Sequence, residues 1–136
     1  MKDKIFITSI DRDRIKKTLD DITRGGVSPS KTVKGLESEL RRAVIVDPMG
    51  ISSDVITMNS RAIIELNGEE ETEVLLVYPQ DADPANKKLS ILSPIGMALI
   101  GCKEGSVIEC NVPSGKTKIH IKKVVYQPES AGDYHL

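Results

Sequence analysis

Four glutamates form the densest group of side chains that could do chemistry, Glu69, Glu70, Glu71 and Glu73, beside the Asn-Gly pair at 67–68. Carboxylate oxygens bind hard cations when several of them converge on one point. Here the flanking residues predict strands, and consecutive strand residues point to opposite faces of a sheet. We therefore interpret the group as a solvated hairpin tip whose charge discourages pairing at a sheet edge.

The other residues capable of acid–base or nucleophilic chemistry are isolated from one another. His120 lies between apolar neighbours in a predicted strand and His135 lies near the end of the sequence, so no Ser–His–Asp or Cys–His set is indicated. Cys102 and Cys110 lack zinc-site spacing and are predicted to pack. The "SGK" at 114–116 lacks the earlier glycine and the following helix of a phosphate-binding loop. The sequence predicts no catalytic residue and no cofactor, and hence a protein that is not an enzyme.

The composition is that of an ordinary globular chain. Its 136 residues fit one domain, or one domain with a small appendage, and only 3% of them are aromatic, with no tryptophan. A base-stacking platform for single strands is therefore not expected. The two cysteines give no disulfide framework, and neither a leader nor an apolar membrane span is indicated. We expect a cytoplasmic protein.

The charge is distributed unevenly along the chain. Residues 1–50 carry 11 Lys and Arg against 8 Asp and Glu, whereas residues 51–136 carry 8 against 12. This asymmetry predicts two parts, 1–50 and 51–136, with different surroundings. The excess of three positive charges in the first part supports at most weak contact with nucleic acid.

The first fifty residues contain two short amphipathic patterns. Each places a narrow apolar stripe on a helix, first at Ile15, Leu19 and Ile22, and then at Val33, Leu36, Leu40 and Val44. The patterns predict an antiparallel helical hairpin, a short coiled coil, over 9–46, because stripes this thin suit a seam between two helices. Ser9 or Asp11 is the expected cap of the first helix. The alternative is that the hairpin packs against the rest of the chain.

The period changes to that of strands from residue 54 onward. We predict an α+β fold with an antiparallel sheet and one short helix, in the order strand, strand, strand, helix, strand, strand. The predicted segments are 54–66, 72–79, 89–92, the helix 93–101, 107–112 and 117–126. A break in the alternation at Lys123 predicts a β-bulge.

The predicted helix "SPIGMALIG" has unusually definite boundaries. Ser93 is expected to cap it, Pro94 to occupy its first turn and Gly101 to follow it in the left-handed conformation. Ile95, Ala98 and Leu99 would turn an apolar face to the sheet.

The stretch "LSILSPIGMALIGCKEGSVIECNVPSGKTKIHIKKVVY" resembles the C-terminal domain of the bacterial transcript-cleavage factors GreA and GreB. The shared features are a Ser-Pro-led helix, an "ALIG" end, a Lys-Glu-Gly turn, a Pro-x-Gly turn and a final strand, over about 54–127. "DVITMNSR" and "YQPESAGDY" are more similar to the short relatives called regulators of nucleoside diphosphate kinase. The scaffold positions are Ser93, Pro94, Ile95, Gly96, Gly101, Gly105, Pro113 and Gly115.

The resemblance implies an FKBP-like sheet domain bearing an N-terminal coiled coil. It also implies binding to core RNA polymerase at the rim of its secondary channel, in competition with cleavage factors. A prolyl isomerase site is not expected, because such pockets are lined by aromatic rings and this chain has only four aromatic residues.

The chain departs from the cleavage factors at the tip of the hairpin, where the resemblance implies acidic residues that help to hold Mg²⁺. The tip reads "TRGGVSPSK" and contains no carboxylate. Asp20 and Asp21 lie about one turn below it and are weak metal candidates, and the helices are shorter than those of the family. We therefore expect binding to RNA polymerase without stimulation of transcript cleavage.

The expected partner-binding residues are the tip and the basic hairpin surface, namely Arg24, Gly25 and Gly26 together with Arg12, Lys16, Lys17, Arg41 and Arg42. Their positive charge suits an acidic channel or nascent RNA. The alternative is a merely solvated surface. Two other functions stay open, namely regulation of nucleoside diphosphate kinase and active transcript cleavage through Asp20 and Asp21.

Overall fold

The computed structural model of the chain describes residues 5–24, 31–112 and 115–132. Within them the fold is mixed α+β, with short helices and two sheets. The elements are β1 Phe6–Thr8, α1 Ser9–Arg24, α2 Lys31–Arg42, β2 Val44–Val46, β3 Arg61–Leu66, β4 Glu70–Val77, β5 Lys88–Ser90, α3 Pro94–Leu99, β6 Val107–Val112, β7 Gly115–Tyr126 and α4 Pro128–Ala131.

The main sheet has five strands in the order β5-β4-β3-β7-β6. Four of its strands pair antiparallel as predicted, but β5 runs parallel to β4, with Leu75 opposite Lys88. The prediction of an antiparallel sheet was wrong at this edge. Between the two strands the chain makes two short 3-10 turns, Pro79–Asp81 and Pro84–Asn86, and these give it room to return before it pairs again.

The hairpin between β3 and β4 follows the predicted Asn-Gly signal. Asn67 and Gly68 both have positive φ angles, 53° and 73°, as the central residues of a type I′ turn require. The Asn67 side chain also accepts a hydrogen bond from the Lys118 N–H, at 2.9 Å. Strand β3 begins only at Arg61, because Asn59 interrupts the predicted strand 54–66 with a positive φ of 64°.

The last strand, β7, carries the bulge that its sequence predicts. Ile63 pairs with Lys123 and the next residue, Ile64, pairs with Ile121, so Lys122 is the extra residue. The side chains of Ile119 and Ile121 are fully buried, whereas Lys118 is exposed. The alternation of the strand therefore positions one face against the core.

A second sheet joins the start of α1 to the end of α2. Strands β1 and β2 pair in parallel, with Phe6 opposite Val44. The sequence did not predict this sheet, because three residues per strand are too few to show alternation. Val44 was assigned to the second helix but lies in β2, so the helical hairpin accounts for only part of 9–46.

The two helices of the hairpin share one apolar core with the main sheet. Ile15 of α1 and Leu36 of α2 are both fully buried and belong to the same cluster as Ile64, Leu99 and Ile121. The base of the hairpin therefore packs against the sheet, which is the alternative arrangement named above. No helix in the described parts of the chain is long and apolar enough to cross a membrane.

Candidate functional site

The two acidic candidates on α1 face different surfaces. Asp20 lines an open groove between α1 and α2, whereas Asp21 lines a groove between α1 and residues 78–80. This divergence follows from the helix, because successive residues are rotated by about 100° around its axis. No group of three or more His, Cys, Asp or Glu side chains within the described ranges could hold a metal ion.

The groove between α1 and α2 has a volume of about 650 Å³, and we call it the interhelical groove. Two leucines lie in it, of which Leu19 is almost fully buried and Leu40 is half-buried. Charged side chains of both signs surround them. The full lining is Arg12, Lys16, Leu19, Asp20, Glu37, Leu40 and Arg41.

The interhelical groove brings together three of the predicted basic residues, Arg12, Lys16 and Arg41. Lys17 lies instead in the second groove, of about 480 Å³, with Arg14 and Tyr78. Arg42 forms an ion pair with Glu39 at 2.8 Å. The tip residues Gly25 and Gly26 and the side chain of Arg24 lie outside the described part of the structure. Their role as partner-binding residues stays a prediction.

The first turn of α1 is attached to the sheet through Asp11. Thr8, not the predicted Ser9 or Asp11, caps the helix, because its Oγ1 accepts the Asp11 N–H at 3.1 Å. The Asp11 carboxylate in turn accepts the Met58 N–H at 3.0 Å, and Asp11 is only 1% exposed. The helix start is therefore joined to the segment that leads into β3.

A set of polar side chains surrounds this attachment. Thr57 donates a hydrogen bond to Glu129 of α4 at 2.7 Å, and its hydroxyl lies 2.8 Å from that of Ser60. The pKa of the Asp11 carboxyl is raised from 3.8 to about 7, chiefly by burial. The Met58 N–H and Arg14 oppose the shift, and nearby Glu129 contributes to it. Burial also raises the pKa of Tyr78. The base of the hairpin thus holds an aspartate that is easily protonated.

The sequence indicated Asp11 only as a possible helix cap and did not indicate that its side chain joins α1 to the segment before β3. A local signal was present, because Thr8 and Asp11 have the three-residue spacing of a capping box. Its contact with Met58 spans 47 residues, however, and no local pattern encodes it.

The scaffold motif of α3 has the geometry that its sequence predicts. The Ser93 hydroxyl accepts the Gly96 N–H at 3.1 Å and donates to the Ser90 carbonyl at 2.6 Å, while Pro94 occupies the first turn. A Cβ at Gly96 would collide with that same Ser90 carbonyl oxygen. Glycine at this position lets the helix approach the end of β5 closely.

The other scaffold glycines lie between elements or at the start of one, as Gly115 does in β7. Gly101 follows α3 with a φ of +78°, and a Cβ there would lie 2.8 Å from the Cβ of Ile5. Gly105 and Gly115 have positive φ angles of 90° and 128°. Ile95 is partly buried against the core, and Pro113 lies outside the described residues.

The glutamates beside the Asn-Gly turn, His120 and the two cysteines lie at the surface, in paired strands or against the core. Residues 69–71 are exposed at the hairpin tip, and Glu73 forms an ion pair with Arg61 at 3.2 Å. His120 lies opposite Glu65 in the β3–β7 pair. The Cys102 thiol donates to the Ala98 carbonyl at 3.2 Å, and Cys110 packs at the edge of the core.

Comparison with protein families gives a match over the second part of the chain. Residues 51–126 match the family described as "Transcription elongation factor, GreA/GreB, C-term". This range covers the main sheet and α3, so the chain belongs to that family. The resemblance to it that the sequence predicted is thereby confirmed.

Individual relatives refine this assignment. The chain is 36% identical to the "Regulator of nucleoside diphosphate kinase" of Escherichia coli K12 over 134 residues, which cover 97% of this chain and 96% of the relative. It is 41% identical to the transcription elongation factor GreA of Clostridium perfringens SM101 over 87 residues, or 63% of this chain and 55% of GreA. The chain thus matches about half the length of that GreA.

A solved structure has the same overall arrangement. The GreA/GreB elongation factor of Nitrosomonas europaea superposes with a TM-score of 0.74 at 38% identity, covering 92% of this chain and all of that one. The family match, the similarity to the E. coli regulator over nearly the whole chain and this superposition therefore agree on the fold.

Proposed function

We propose that this chain is a regulator of transcription elongation that binds core RNA polymerase at the secondary channel and does not stimulate transcript cleavage. The observation that carries the proposal is the match of residues 51–126 to the GreA/GreB C-terminal family, joined to a short helical hairpin. In this proposal the sheet domain docks on the polymerase, and the hairpin enters or blocks the mouth of the channel.

The positions of the acidic residues in the hairpin support the part of the proposal that concerns transcript cleavage. The tip sequence, residues 23–31, contains no carboxylate. Asp20 and Asp21 line different grooves, so the two carboxylates do not converge to offer a hard cation several oxygen ligands. A hairpin of this kind occupies a docking site but brings no metal-binding group to the polymerase.

The hairpin also has features that suit docking. Its base is built into the core of the sheet through Ile15 and Leu36, so its direction relative to the sheet is fixed before binding. A preorganised surface loses less conformational entropy on association. Exposed Lys17 and its basic neighbours supply positive charge for electrostatic steering toward an acidic channel.

Binding is tested with purified chain and core RNA polymerase in a pull-down at micromolar concentration, followed by competition with a GreA cleavage factor. We expect binding that the cleavage factor displaces and that weakens with added salt. Lys17→Glu should weaken binding several-fold, whereas Lys17→Arg, which keeps the positive charge at the same exposed position, is the matched control and should bind as the wild type does. No retention of the chain by the polymerase would contradict the proposal.

Cleavage is tested on a backtracked transcription complex. We expect the chain to leave the rate of transcript cleavage at its basal value and to inhibit a cleavage factor added in competition. Stimulated cleavage that is lost in the Asp20→Asn, Asp21→Asn double variant would establish an active cleavage factor instead.

A second candidate function is regulation of nucleoside diphosphate kinase. It is favoured by the name of the E. coli relative, which is similar to this chain over nearly its whole length. Purified chain is added to the kinase at equimolar and excess concentration and phosphoryl transfer is measured. Unchanged turnover at every ratio would remove this candidate, whereas a saturable change would support it.

A further inference from the structure

The interhelical groove has an ordered distribution of charge along the hairpin. Three cations, Arg12, Lys16 and Arg41, lie toward the base, where α1 begins and α2 ends. The two acids, Asp20 and Glu37, lie nearer to the opposite end, toward the connection between the helices. The groove is therefore positive at one end and negative at the other, with leucines between.

Arg12 is paired with Asp13 on the same helix, at 3.0 Å, but the other four charges are not neutralised inside the hairpin. Lys16 and Asp20 are separated by four residues on α1, and Glu37 and Arg41 by four residues on α2, so each pair has the spacing of a helical ion pair. Yet none of the four side chains forms an ion pair with any residue in the parts of the chain that the structure describes. Both signs of charge are thus available to a ligand.

We propose that the groove is occupied by a second copy of this chain, related to the first by a two-fold axis perpendicular to the hairpin. That axis sets the two hairpins antiparallel, so the basic end of each groove faces the acidic end of the other. Lys16 of each copy meets Asp20 of its partner, and the half-buried Leu40 supplies accessible apolar surface beside Leu19, which is already buried in the monomer. The surface is complementary to itself.

Other occupants fit this pattern less well. A nucleic-acid strand carries a single sign of charge, and its phosphates would be repelled by Asp20 and Glu37. A purely acidic peptide meets the same obstacle. A second copy supplies both signs in the required order without any further assumption.

The size of the surface sets the expected strength. A 16-residue helix is about 24 Å long, and two packed helices present a face about 20 Å wide. The two copies together would then bury roughly 1,000 Å², the lower end of the range for specific interfaces. We therefore expect a reversible dimer that forms at micromolar or higher concentration.

Dimer formation has a direct consequence for any ligand of the hairpin. The surface that carries Lys16 and Arg41 is covered in the dimer and exposed in the monomer. Self-association and docking of the hairpin elsewhere therefore exclude each other. The dimer itself does not depend on the proposed binding to RNA polymerase.

Sedimentation velocity of the full chain over a range of concentrations tests the dimer. The wild type should approach twice the monomer mass, and the dissociation constant should rise with salt. Lys16→Glu and Asp20→Lys each place like charges opposite one another twice per dimer. Each should raise the dissociation constant roughly tenfold.

Mixing the two variants gives the decisive measurement. In a mixed dimer Glu at 16 faces Lys at 20, and Asp20 faces Lys16, so an equimolar mixture should dimerise at least as well as the wild type. The double variant Lys16→Glu, Asp20→Lys should likewise recover most of the wild-type affinity. If Lys16 and Asp20 instead formed an ion pair within one helix, the double variant would recover its affinity for a second copy, but the mixture of single variants would not.

Lys118→Glu, an exposed change of equal charge on β7, is the control and should leave dimerisation unchanged. Circular dichroism checks that each variant keeps its helices. A wild type that stays monomeric throughout, equal effects of Lys16→Glu and Lys118→Glu, or no dimer in the mixture would each overturn the proposal.

Discussion

The main sheet and the helical hairpin are held in place by different kinds of contact. In the sheet, β3 pairs along its length with both β4 and β7, and Gly96 lets α3 pack closely on the end of β5. In the hairpin, an open groove separates much of α1 from α2, and both helices instead send side chains into the core that they share with the sheet, Ile15 and Leu19 from α1 and Leu36 from α2. The strands are held together by their own pairing, whereas the hairpin is held through the core that it shares with the sheet.

This difference shows which contacts set the orientation of the hairpin relative to the sheet. A coiled coil is stabilised by the seam between its helices, but here the contacts at the base carry more of the packing. Gly35 of α2 faces Met97 of α3, where an added Cβ would lie only 3.3 Å from the sulfur. Asp11 fixes the start of α1 through the Met58 N–H. Changes at this base should therefore alter the hairpin more than changes in the groove.

The largest expected effect comes from the ionisation of Asp11. The unfolded chain releases this proton near pH 3.8, whereas the folded chain retains it until about pH 7. Between these values the folded state binds more protons, so its stability falls as the pH rises. Since one pKa unit corresponds to about 1.4 kcal/mol, this carboxyl would lower the free energy of unfolding by roughly 4 kcal/mol between pH 4 and pH 8.

Asp11→Asn isolates this contribution, because it removes the titration and keeps an oxygen for the Met58 N–H. Urea unfolding at several pH values should show the fall in the wild type and a flatter profile in the variant. Asp13→Asn, at a side chain 69% exposed on the same helix, is the control and should retain the wild-type profile. Identical profiles for Asp11→Asn and wild type would mean that the base of the hairpin is not held through a buried, protonated carboxyl.

A second expected effect lies in the sheet half and tests its close packing. Gly96→Ala places a methyl group against the Ser90 carbonyl oxygen, which belongs to the backbone and has little freedom to move. We expect a loss of about 3 kcal/mol, the upper range for overpacking. Gly50→Ala is the matched control, because the nearest atom to its added Cβ is 4.0 Å away. Its effect should stay within about 1 kcal/mol of zero. Equal unfolding midpoints for the two variants would contradict the close approach.

Much of the sheet half could be predicted because its signals are local. The Asn-Gly pair specifies a turn, Ser93 and Pro94 specify the start of a helix, and the alternation through Ile119 and Ile121 specifies a buried face. Each signal acts within a few residues. Strand β5 was predicted, at 89–92, but its parallel direction was not, because the direction is set by the path of the connecting loop, which the strand's own residues do not encode.

The candidate site was predictable only in its composition. The sequence identified Arg12, Lys16 and Arg41 as basic hairpin residues, but their convergence on one groove depends on the rotation of each helix against the sheet. The pairing of β1 with β2 joins segments more than thirty residues apart, and so does the bond from Asp11 to Met58. Such contacts depend on the folded topology, which a single short window does not contain.

The smallest expected effect compares two leucines on the same helix. Leu36 is fully buried in the core that the hairpin shares with the sheet, whereas Leu40 is half-buried in the interhelical groove. We expect Leu36→Ala to cost about 3 kcal/mol, in the range for core leucines, and Leu40→Ala about 1 kcal/mol. Urea unfolding at low protein concentration, where self-association is avoided, provides both values. Equal losses at the two positions would mean that a seam between α1 and α2 holds the hairpin as strongly as the sheet does. The distinction between strands held by their own pairing and a hairpin held through the shared core would then no longer stand.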